Sequence, residues 1–371
     1  MTDERNVPFF DYPRLYEDDK EELLKIFDDV GSRGAFIMQS DLEEFEKSLA
    51  KYTGSNHAIG VGNATDGLEF CWMALGLKPG DEVICSSHTM LATASSIITA
   101  GGRPIPVEIK EDDCLIDPEA IEDAIGPNTV GIMPTQLNGR VCDMDSIMKI
   151  AEKNNLLVVE DAAQSLGAHY KGQHSGTFGS ASAISFFPAK VMGTLGDAGG
   201  VITNDANLFD KIYQLHDHGR NYAGEVKSWG RNSRLDNLHA AILNYKLPEY
   251  GKIIKRRREI ASLYDSLLNE VEELKLPPPP TDHGDNFDIF QNYELRAQRR
   301  DGLKEFLNQN NIGTLIQWGG KGVHQWKYLG FEEKLPKVEK FFEECIMLPM
   351  NVFISDEDVH YVAKKVIEFY R

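Results

Sequence analysis

The stretch Ser185-Phe186-Phe187-Pro188-Ala189-Lys190 decides the fold class of this chain. It follows the hydrophobic run Val158-Val159-Glu160-Asp161 and precedes the glycine-rich segment Gly193-Thr194-Leu195-Gly196-Asp197-Ala198-Gly199-Gly200. A lysine amine can form a Schiff base with an aldehyde. An acid at a strand end can keep a pyridine nitrogen protonated, so that the ring withdraws electrons from a carbanion. Asp161 and Lys190, each after a buried strand, therefore indicate pyridoxal phosphate (PLP) chemistry.

Short apolar segments alternate with helical ones on both sides of this stretch. The candidate strands are 57–61, 82–86, 104–108, 130–134, 156–160, 182–187 and 199–203. Helix-spaced apolar residues occupy 65–76, 89–101 and 144–154. This alternation predicts an α/β fold with a mainly parallel seven-stranded sheet between helices. Ligands of such sheets lie beyond the carboxyl ends of the strands, where Asp161 and the turn Asn63-Ala64-Thr65 are expected.

The pattern changes near residue 248, and this change predicts two domains. We assign 1–248, including the N-terminal segment, to a large cofactor-binding domain and 249–371 to a smaller α+β domain. The second part contains a long helical pattern from Ile253, an extended break at Pro277-Pro278-Pro279-Pro280, and a final helix beginning near Ser355. Ser355-Asp356-Glu357-Asp358 has the spacing of a capping box.

Composition excludes several functional classes. The 371 residues are 42% hydrophobic and 26% charged, as in ordinary globular proteins, and the formal net charge of −19 disfavours nucleic acid as a partner. No apolar run approaches the roughly 20 residues of a membrane span, and the polar N-terminus does not resemble a signal peptide. These features predict a cytoplasmic protein without a membrane partner. Five scattered cysteines without a CxxC pair indicate reduced thiols rather than a metal site.

Gly62-Asn63-Ala64-Thr65-Asp66-Gly67 follows a strand and opens a helix, which favours a bound phosphate dianion. The dinucleotide fingerprint is absent because Thr65 stands where its third glycine belongs, and Gly67 is not followed by the lysine of a P-loop. Each feature also has a plain structural interpretation. The turn can be structural, Asp161 can be a helix N-cap and Lys190 can be a solvated loop lysine. Their conjunction with Ser185 in one α/β frame favours the cofactor site.

Several motifs together resemble one known family. Glu160-Asp161-Ala162-Ala163-Gln164-Ser165-Leu166-Gly167-Ala168, the Ser-Phe-Phe-Pro-x-Lys stretch with Gly-Asp-Ala-Gly, and Asn232-Ser233-Arg234-Leu235-Asp236 resemble the DegT/DnrJ/StrS sugar aminotransferases. The resemblance runs from about residue 7 to the C-terminus. It implies a fold-type-I PLP enzyme that acts on nucleotide-linked keto sugars.

The resemblance also implies roles for individual residues. Lys190 matches the Schiff-base lysine and proton shuttle, Asp161 the pyridinium partner, and Gln164 the contact to the phenolic oxygen of the cofactor. The expected phosphate contacts are Ala64, Thr65, Ser185 and, from the neighbouring subunit of a homodimer, Asn232.

The ring-stacking and substrate positions are less closely defined by the resemblance. His88 or Met90 occupies the segment that presents a side chain to the pyridine face, and we favour His88 over its alternative as a core histidine. Candidate substrate contacts are Arg220, Arg234, Trp318, Lys321 and His324, although Arg234 can equally form a structural salt bridge, Trp318 can be core and Lys321 solvated.

Two segments depart from the common family pattern. Gln136-Leu137-Asn138-Gly139 replaces His-Leu-Tyr-Gly, and Gln317-Trp318-Gly319-Gly320-Lys321-Gly322-Val323-His324 replaces a His-Tyr-Pro segment with a later His. Both belong to the sugar-facing side in the family, so the identity of the sugar stays open. His216-Asp217-His218 could suggest a metal pair, but no third ligand is evident, and we predict no metal.

The implied reaction has two halves. L-Glutamate gives its nitrogen to the cofactor, leaving 2-oxoglutarate and pyridoxamine phosphate, and the nitrogen then passes to the keto sugar. The motifs favour amination at C3 over C4. The rival functions are a PLP-dependent sugar dehydratase, which would carry histidine in place of Lys190, and a non-catalytic regulator with the same fold.

Overall fold

The structure is a computed structural model that describes residues 5–371. Its helices are α1 (Tyr12–Arg33), α2 (Ser40–Thr53), α3 (Ala64–Leu75), α4 (Leu91–Thr99), α5 (Pro118–Ala124), α6 (Met144–Asn154), α7 (Ala206–His216), α8 (Asn237–Lys246), α9 (Tyr250–Leu268), α10 (Arg300–Gln309), α11 (Pro336–Glu344) and α12 (Asp356–Tyr370). Its strands are β1 (His57–Val61), β2 (Glu82–Ser86), β3 (Arg103–Val107), β4 (Thr129–Met133), β5 (Leu157–Asp161), β6 (His169–Tyr170), β7 (Gln173–His174), β8 (Ala181–Ser185), β9 (Gly199–Thr203), β10 (Leu274–Lys275), β11 (Asn286–Phe287), β12 (Tyr293–Ala297) and β13 (Cys345–Leu348). Short 3-10 helices lie at Leu137–Gly139, Leu247–Glu249, Gln317–Gly320, Val323–Gln325 and Lys327–Leu329.

A seven-stranded sheet forms the centre of the first part of the chain. Its strand order is β1-β9-β8-β5-β4-β2-β3. The pairs β2–β3, β2–β4, β4–β5 and β5–β8 are parallel, whereas β9 runs antiparallel to β1 and β8. The carboxyl ends of β5 and β8 therefore lie side by side, and they carry Asp161 and Ser185.

Two apolar cores cover the two faces of this sheet, which explains the nearly continuous hydrophobic runs of its strands. One core contains Ile59, Leu68, Trp72 and Val159 and lies under α3 and α7. The other contains Phe45, Ile84 and Phe186 and is closed by α2 and α6, among other elements. The predicted mainly parallel seven-stranded α/β fold is confirmed.

The C-terminal part builds a smaller α+β unit. Its antiparallel sheet has the order β10-β12-β13, and α9, α10 and α12 pack against it. The predicted capping box is present, since Ser355 and Asp358 exchange side-chain to backbone hydrogen bonds at the start of α12.

The chain crosses between the two units more than once. Tyr250 and Ile254 of α9 pack into a core of the large sheet, whereas Ile260, Tyr264 and Leu268 pack into the core of the small unit. A single continuous helix therefore belongs to both cores. The division at residue 248 stays a prediction, and the long helix begins just after it.

The N-terminal segment, which we assign to the large domain, also contacts the small unit. Val7 is buried in the small-unit core and pairs with Ile312 in an isolated parallel bridge. Its N–H donates to the carbonyl of Asn311, and its carbonyl accepts from Gly313. The start of the chain thus packs on the small unit rather than only on the large one.

Over residues 5–371, none of the helices combines the length and apolar character that crossing a bilayer would require.

Candidate active site

Lys190 lies in the loop between β8 and β9, at the carboxyl edge of the large sheet. Its backbone N–H donates to the carbonyl of Phe187 at 2.8 Å, and the N–H of Thr194 donates to the carbonyl of Phe186 at 2.9 Å, so the loop is tightly turned. Burial lowers the pKa of the Lys190 amine from 10.5 to about 8, although the negative charge of Asp161 acts in the opposite direction and raises this pKa. A lysine near this pKa can serve as both nucleophile and proton carrier at neutral pH.

Asp161 ends β5 and is almost fully buried. Its Oδ2 accepts from the hydroxyl of Thr93 at 2.6 Å, and its Oδ1 accepts from the N–H of Ala163 at 3.2 Å. Burial raises the pKa of Asp161, while these two hydrogen bonds and the charge of Lys190 oppose that rise. A buried carboxylate with one oxygen held by a hydroxyl can fix a protonated ring nitrogen.

The hydroxyl that holds Asp161 belongs to a chain of three threonines. Thr93 lies 2.7 Å from Thr89, and Thr89 lies 2.9 Å from Thr135, measured between hydroxyl oxygens. Each hydroxyl has one proton, and that of Thr93 goes to Asp161. Thr89 therefore donates to Thr93, and Thr135 donates to Thr89, so that the whole chain points toward the acid.

Glu160, the neighbour of Asp161, is buried on the other side of the strand. Its carboxylate accepts from the N–H groups of Gly176, Phe178 and Gly179 and from Nε2 of Gln136. The Oε1 of Gln136 accepts from the N–H of Cys142. The side chain of Gln136 therefore lies inside the protein and holds the end of β5 through Glu160. This buried position differs from the sugar-facing position that we expected for its segment.

The predicted phosphate-binding turn at Asn63 and Ala64 packs closely against Gly199 of β9. Asn63 caps α3, because its Oδ1 accepts from the N–H of Asp66 at 2.9 Å. A Cβ at Gly199 would lie 2.5 Å from the Asn63 carbonyl carbon and 2.6 Å from the Ala64 nitrogen. Gly199 pairs with Ser185 on the neighbouring strand. The absence of a side chain at Gly199 thus brings the turn containing Ala64 and Thr65 beside Ser185.

Gln164 lies in the same site, three residues after Asp161. Its Oε1 accepts from the N–H of Asn138 at 2.8 Å, which leaves its amide nitrogen available. Gln164, Ser185 and Lys190 together line one small cavity. Asn138 has a left-handed backbone (φ 56°) and bridges to the small unit, since its Nδ2 donates to Glu294 at 2.7 Å.

These residues fit pyridoxal phosphate. The helix N-terminus at Ala64 and Thr65 and the hydroxyl of Ser185 suit the phosphate, the buried Asp161 suits the pyridine nitrogen, and the amide of Gln164 suits the phenolic oxygen. Lys190 in the same cavity suits the aldehyde.

Comparison with known proteins decides the family. The model of the DegT/DnrJ/EryC1/StrS aminotransferase family matches residues 17–367. The chain belongs to this aminotransferase family.

Relatives of this aminotransferase match along nearly the whole chain. A protein of Geobacillus stearothermophilus named pleiotropic regulatory protein is 38% identical over 99% of both chains. The dTDP-3-amino-3,4,6-trideoxy-alpha-D-glucose transaminase of Streptomyces venezuelae is 35% identical over 93% of this chain and 91% of its own. The crystal structure of S. venezuelae DesV in complex with a ketimine intermediate superposes with a TM-score of 0.94, at 34% identity and 99% coverage of both chains.

Three of the predicted contacts of this aminotransferase, Arg220, Asn232 and Arg234, lie around Asp217. Asn232 is exposed and pairs with Asp217 in an isolated bridge, and it does not line the cavities that contain Lys190. Arg220 and Arg234 both bind Oδ1 of Asp217 at 2.9 Å. The three predicted contacts therefore form one cluster around a buried carboxylate, and the salt-bridge interpretation of Arg234 is the one that its geometry supports.

His88 is enclosed by protein and does not present a free ring. Its ring centroid lies 4.2 Å from that of Phe341 and 5.5 Å from that of Trp318. Its Nδ1 lies 2.9 Å from the carbonyl oxygen of Cys114, and its Nε2 lies 3.4 Å from Oε2 of Glu294. This position favours the core interpretation, contrary to our preference for stacking on the cofactor. Met90 is 53% exposed and directly precedes α4, the helix that contains Thr93. Met90 therefore becomes the candidate for the side chain that faces the pyridine ring.

The predicted substrate residues of the small unit lie at the junction of the two units. His324 is buried, with Nδ1 2.7 Å from Oγ of Ser87 and Nε2 3.3 Å from Glu339. Both ring nitrogens thus have protein partners, and this geometry favours a structural role over the expected substrate contact.

Trp318 and Lys321 differ from each other in their surroundings. Trp318 is half-buried in a left-handed conformation (φ 48°) and packs on His88 and Phe342, which favours its core interpretation. Lys321 is exposed, with Nζ 5.0 Å above the ring of Trp326, so its amine is accessible to solutes.

Three parts of the site were not predicted. Thr93 lies within a plain helical pattern, and Gln291 follows no motif, yet both contact the Lys190–Asp161 region. A large groove beside Lys190 is lined by Phe9, Phe10 and Tyr12 together with residues of the small unit. The only feature of the sequence that points to this groove is the N-terminal aromatic run. The run alone does not indicate which part of the chain it packs against.

The histidine pair near α7 does not form a metal site in this structure. His216 is buried, its Nδ1 contacts the carbonyl of Tyr213, and burial lowers its pKa. Throughout residues 5–371, no group of three or more His, Cys, Asp or Glu side chains could hold a metal ion.

Proposed function

We propose that this aminotransferase moves an amino group from L-glutamate to the C3 keto group of a nucleotide-linked sugar, with PLP as cofactor. The observation that carries the proposal is the position of Asp161 at the end of β5 and of Lys190 in the loop after the neighbouring strand β8, with Gln164 and Ser185 in the same cavity as Lys190. Family membership supports amino transfer to a sugar. The name of the Streptomyces venezuelae relative, a dTDP-3-amino sugar transaminase, supports a nucleotide-linked substrate and the C3 position.

PLP supplies an electron-withdrawing ring that stabilises negative charge on the carbon bonded to the amino group. The residues of this chain perform the remaining work. Asp161, held by Thr93 and the N–H of Ala163, keeps the ring nitrogen protonated. Lys190 carries a proton to and from the reacting carbon, because a pKa of about 8 lets its amine exist in both states near neutral pH.

The acidic protein must still bind an anionic diphosphate, so its positive groups must act locally. Lys321 has an accessible amine and is a substrate candidate. Arg220 and Arg234 are bound to Asp217, but Arg220 keeps a buried Nε without a protein partner. We propose that Arg220 reaches substrate phosphate and that Arg234 holds Asp217 in place.

We further propose a homodimer in which Asn232 completes the cofactor site of the neighbouring subunit. Its exposure, and its absence from the cavities around Lys190 in its own chain, support this assignment. Mixing inactive Lys190→Ala with inactive Asn232→Ala tests it. A shared site would regenerate activity in one of the two sites of the mixed dimer, whereas separate sites would leave the mixture inactive.

The central test is the visible absorption spectrum of wild type and Lys190→Ala, before and after addition of L-glutamate. We expect a lysine-dependent band in wild type that glutamate bleaches and that the variant lacks. A panel of 3-keto and 4-keto sugar nucleotides then identifies the acceptor and the position. Bound cofactor with no transfer from any amino donor would instead support the non-catalytic regulator.

A further inference from the structure

The side chain of Gln291 bridges the two peptide groups on either side of Lys190. Its Nε2 donates to the carbonyl of Ala189 at 2.9 Å, and its Oε1 accepts from the N–H of Val191 at 2.9 Å. We refer to this pair of hydrogen bonds as the Gln291 clasp. Because the N–H of Lys190 also donates to Phe187, the main chain is held on both sides of the lysine.

Gln291 is itself fixed from behind. The guanidinium of Arg257 donates to the carbonyls of Phe290 and Gln291, each at 2.6 Å, and Arg257 is buried. Burial lowers the pKa of Arg257 to about 10, so the side chain stays charged at neutral pH. Charged donors make the stronger class of hydrogen bond, so they anchor this segment firmly.

The clasp also connects with the other cofactor residues. The N–H of Gln291 donates to the carbonyl of Asn138 at 2.9 Å, and the N–H of Asn138 donates to Gln164. A Cβ at Gly139 would lie 2.7 Å from the nitrogen of Gln291, so this approach requires glycine there. Lys190 and Gln164 are thereby held at a fixed separation through Gln291 and Asn138.

We propose that Gln291 is a positioning residue that holds the backbone of Lys190 where its amine can attach the cofactor aldehyde. This inference rests on the proposed function, because it requires Lys190 to be the attachment residue. Attachment demands near-attack geometry of the amine, which a held main chain supplies in advance. Non-covalent binding of the phosphate and ring depends on other residues, namely the turn at Ala64, Asp161 and Gln164.

The proposal predicts a difference between two cofactor forms. PLP carries the aldehyde that reacts with lysine, whereas pyridoxamine phosphate does not. Loss of the Gln291 clasp should therefore weaken PLP retention while it spares pyridoxamine phosphate. A merely structural glutamine would affect both forms equally.

The experiment measures the dissociation constants of both forms for the full-length apo-protein, by absorbance for PLP and by calorimetry for pyridoxamine phosphate. Gln291→Met removes both hydrogen bonds with a side chain of similar length. We expect about 10-fold weaker PLP binding, as the loss of two buried hydrogen bonds implies, and a change within about twofold for pyridoxamine phosphate. Gln291→Leu is a second removal of the clasp if the methionine variant does not fold.

Asn237 provides the matched control. It is fully buried, its Oδ1 accepts from the N–H of Leu42 at 2.9 Å, and its Nδ2 donates to the carbonyl of Ala35 at 2.7 Å. Asn237→Leu thus removes a similar bridge elsewhere and should leave the ratio of the two constants as in wild type. Equal weakening of both cofactors in the Gln291 variants, or no weakening, would overturn the proposal. If Lys190→Ala binds PLP as tightly as wild type, the proposed function fails first.

Discussion

Thr93 donates a hydrogen bond of 2.6 Å to Oδ2 of Asp161, and this contact joins helix α4 to the end of strand β5. The acid that the sequence indicates is therefore held by a residue from a different element, 68 positions earlier in the chain. The hydrogen bond favours the ionised carboxylate, which is the form needed to keep a ring nitrogen protonated.

Thr93→Val should lower the rate of amino transfer. Valine has nearly the same shape but cannot donate, so Asp161 loses a hydrogen bond to its charged form, worth about 1.5–3 kcal/mol. We expect kcat to fall by about 10-fold or more, with a smaller change in KM. Thr99→Val is the control, because Thr99 lies at the exposed end of the same helix and its hydroxyl donates to the carbonyls of Ser95 and Ser96 rather than to Asp161. If the two variants have equal kcat values, the hydrogen bond from Thr93 to Asp161 does not contribute to amino transfer.

The pH dependence of cofactor attachment should report the amine of Lys190. Burial lowers the pKa of this amine from 10.5 to about 8, and only the neutral amine attacks an aldehyde. The rate at which the apo-protein takes up PLP should rise with pH and level off above about 8. Stopped-flow absorbance measures this rate. A midpoint near 10.5 would contradict the buried environment of Lys190.

Glu46 should make the folded protein less stable at alkaline pH. Burial raises the pKa of Glu46 from 4.5 to about 7, even though its Oε1 accepts from the N–H of Gly60 at 2.8 Å. A raised pKa in the folded state favours the protonated form, so its stabilisation is complete below 4.5 and is lost as the pH rises through 7.

Glu46→Gln removes this titration and keeps the acceptor for Gly60. The variant should gain unfolding free energy relative to wild type between pH 5 and pH 8, by at most about 3 kcal/mol. Denaturant unfolding at the two pH values measures the difference. Glu44→Gln, at an exposed position of the same helix, should show no pH-dependent difference from wild type. A constant offset between wild type and Glu46→Gln at both pH values would contradict the assignment.

Gly199→Ala should damage the phosphate end of the site. The new Cβ would lie 2.5 Å from a backbone atom of Asn63, so the helix start must move away from Ser185. We expect weaker binding of both PLP and pyridoxamine phosphate and a loss of about 1–3 kcal/mol of unfolding free energy. Gly251→Ala is the control, since no atom lies within 4 Å of a Cβ built there. Tight cofactor binding by Gly199→Ala would argue against this turn as the phosphate site.

The residues of the site that follow strands could be predicted from the sequence, because the carboxyl edge of a parallel sheet gathers whatever follows its strands. Asp161, Ser185 and the turn at Ala64 all belong to this class. Thr93 and Gln291 could not be predicted in this way. Their contacts with Asp161 and the Lys190 loop depend on how distant elements pack, and neither residue type is distinctive in its local pattern.

The small unit shows the same limit. Strand β13 (Cys345–Leu348) is too short and too uniformly buried to display an alternating pattern, and it is identified only by its pairing with β12. The prediction of His88 rests on its place in the segment that the family resemblance assigns to the pyridine face. Which of His88 and Met90 points inward depends on Phe341 and Phe342, which lie about 250 residues later in the chain.

Helix α9 has a consequence for any attempt to divide this protein. Its first turns supply Tyr250 and Ile254 to one core, and its later turns supply Ile260, Tyr264 and Leu268 to the other. A fragment ending at residue 248 would lack Tyr250 and so leave a cavity in the apolar core of the large sheet. The complementary fragment would lack Val7, which is buried in the core of the small unit. Truncation at this boundary would yield two aggregation-prone pieces, so isotope labelling, crystallisation and engineering should all begin from the undivided polypeptide.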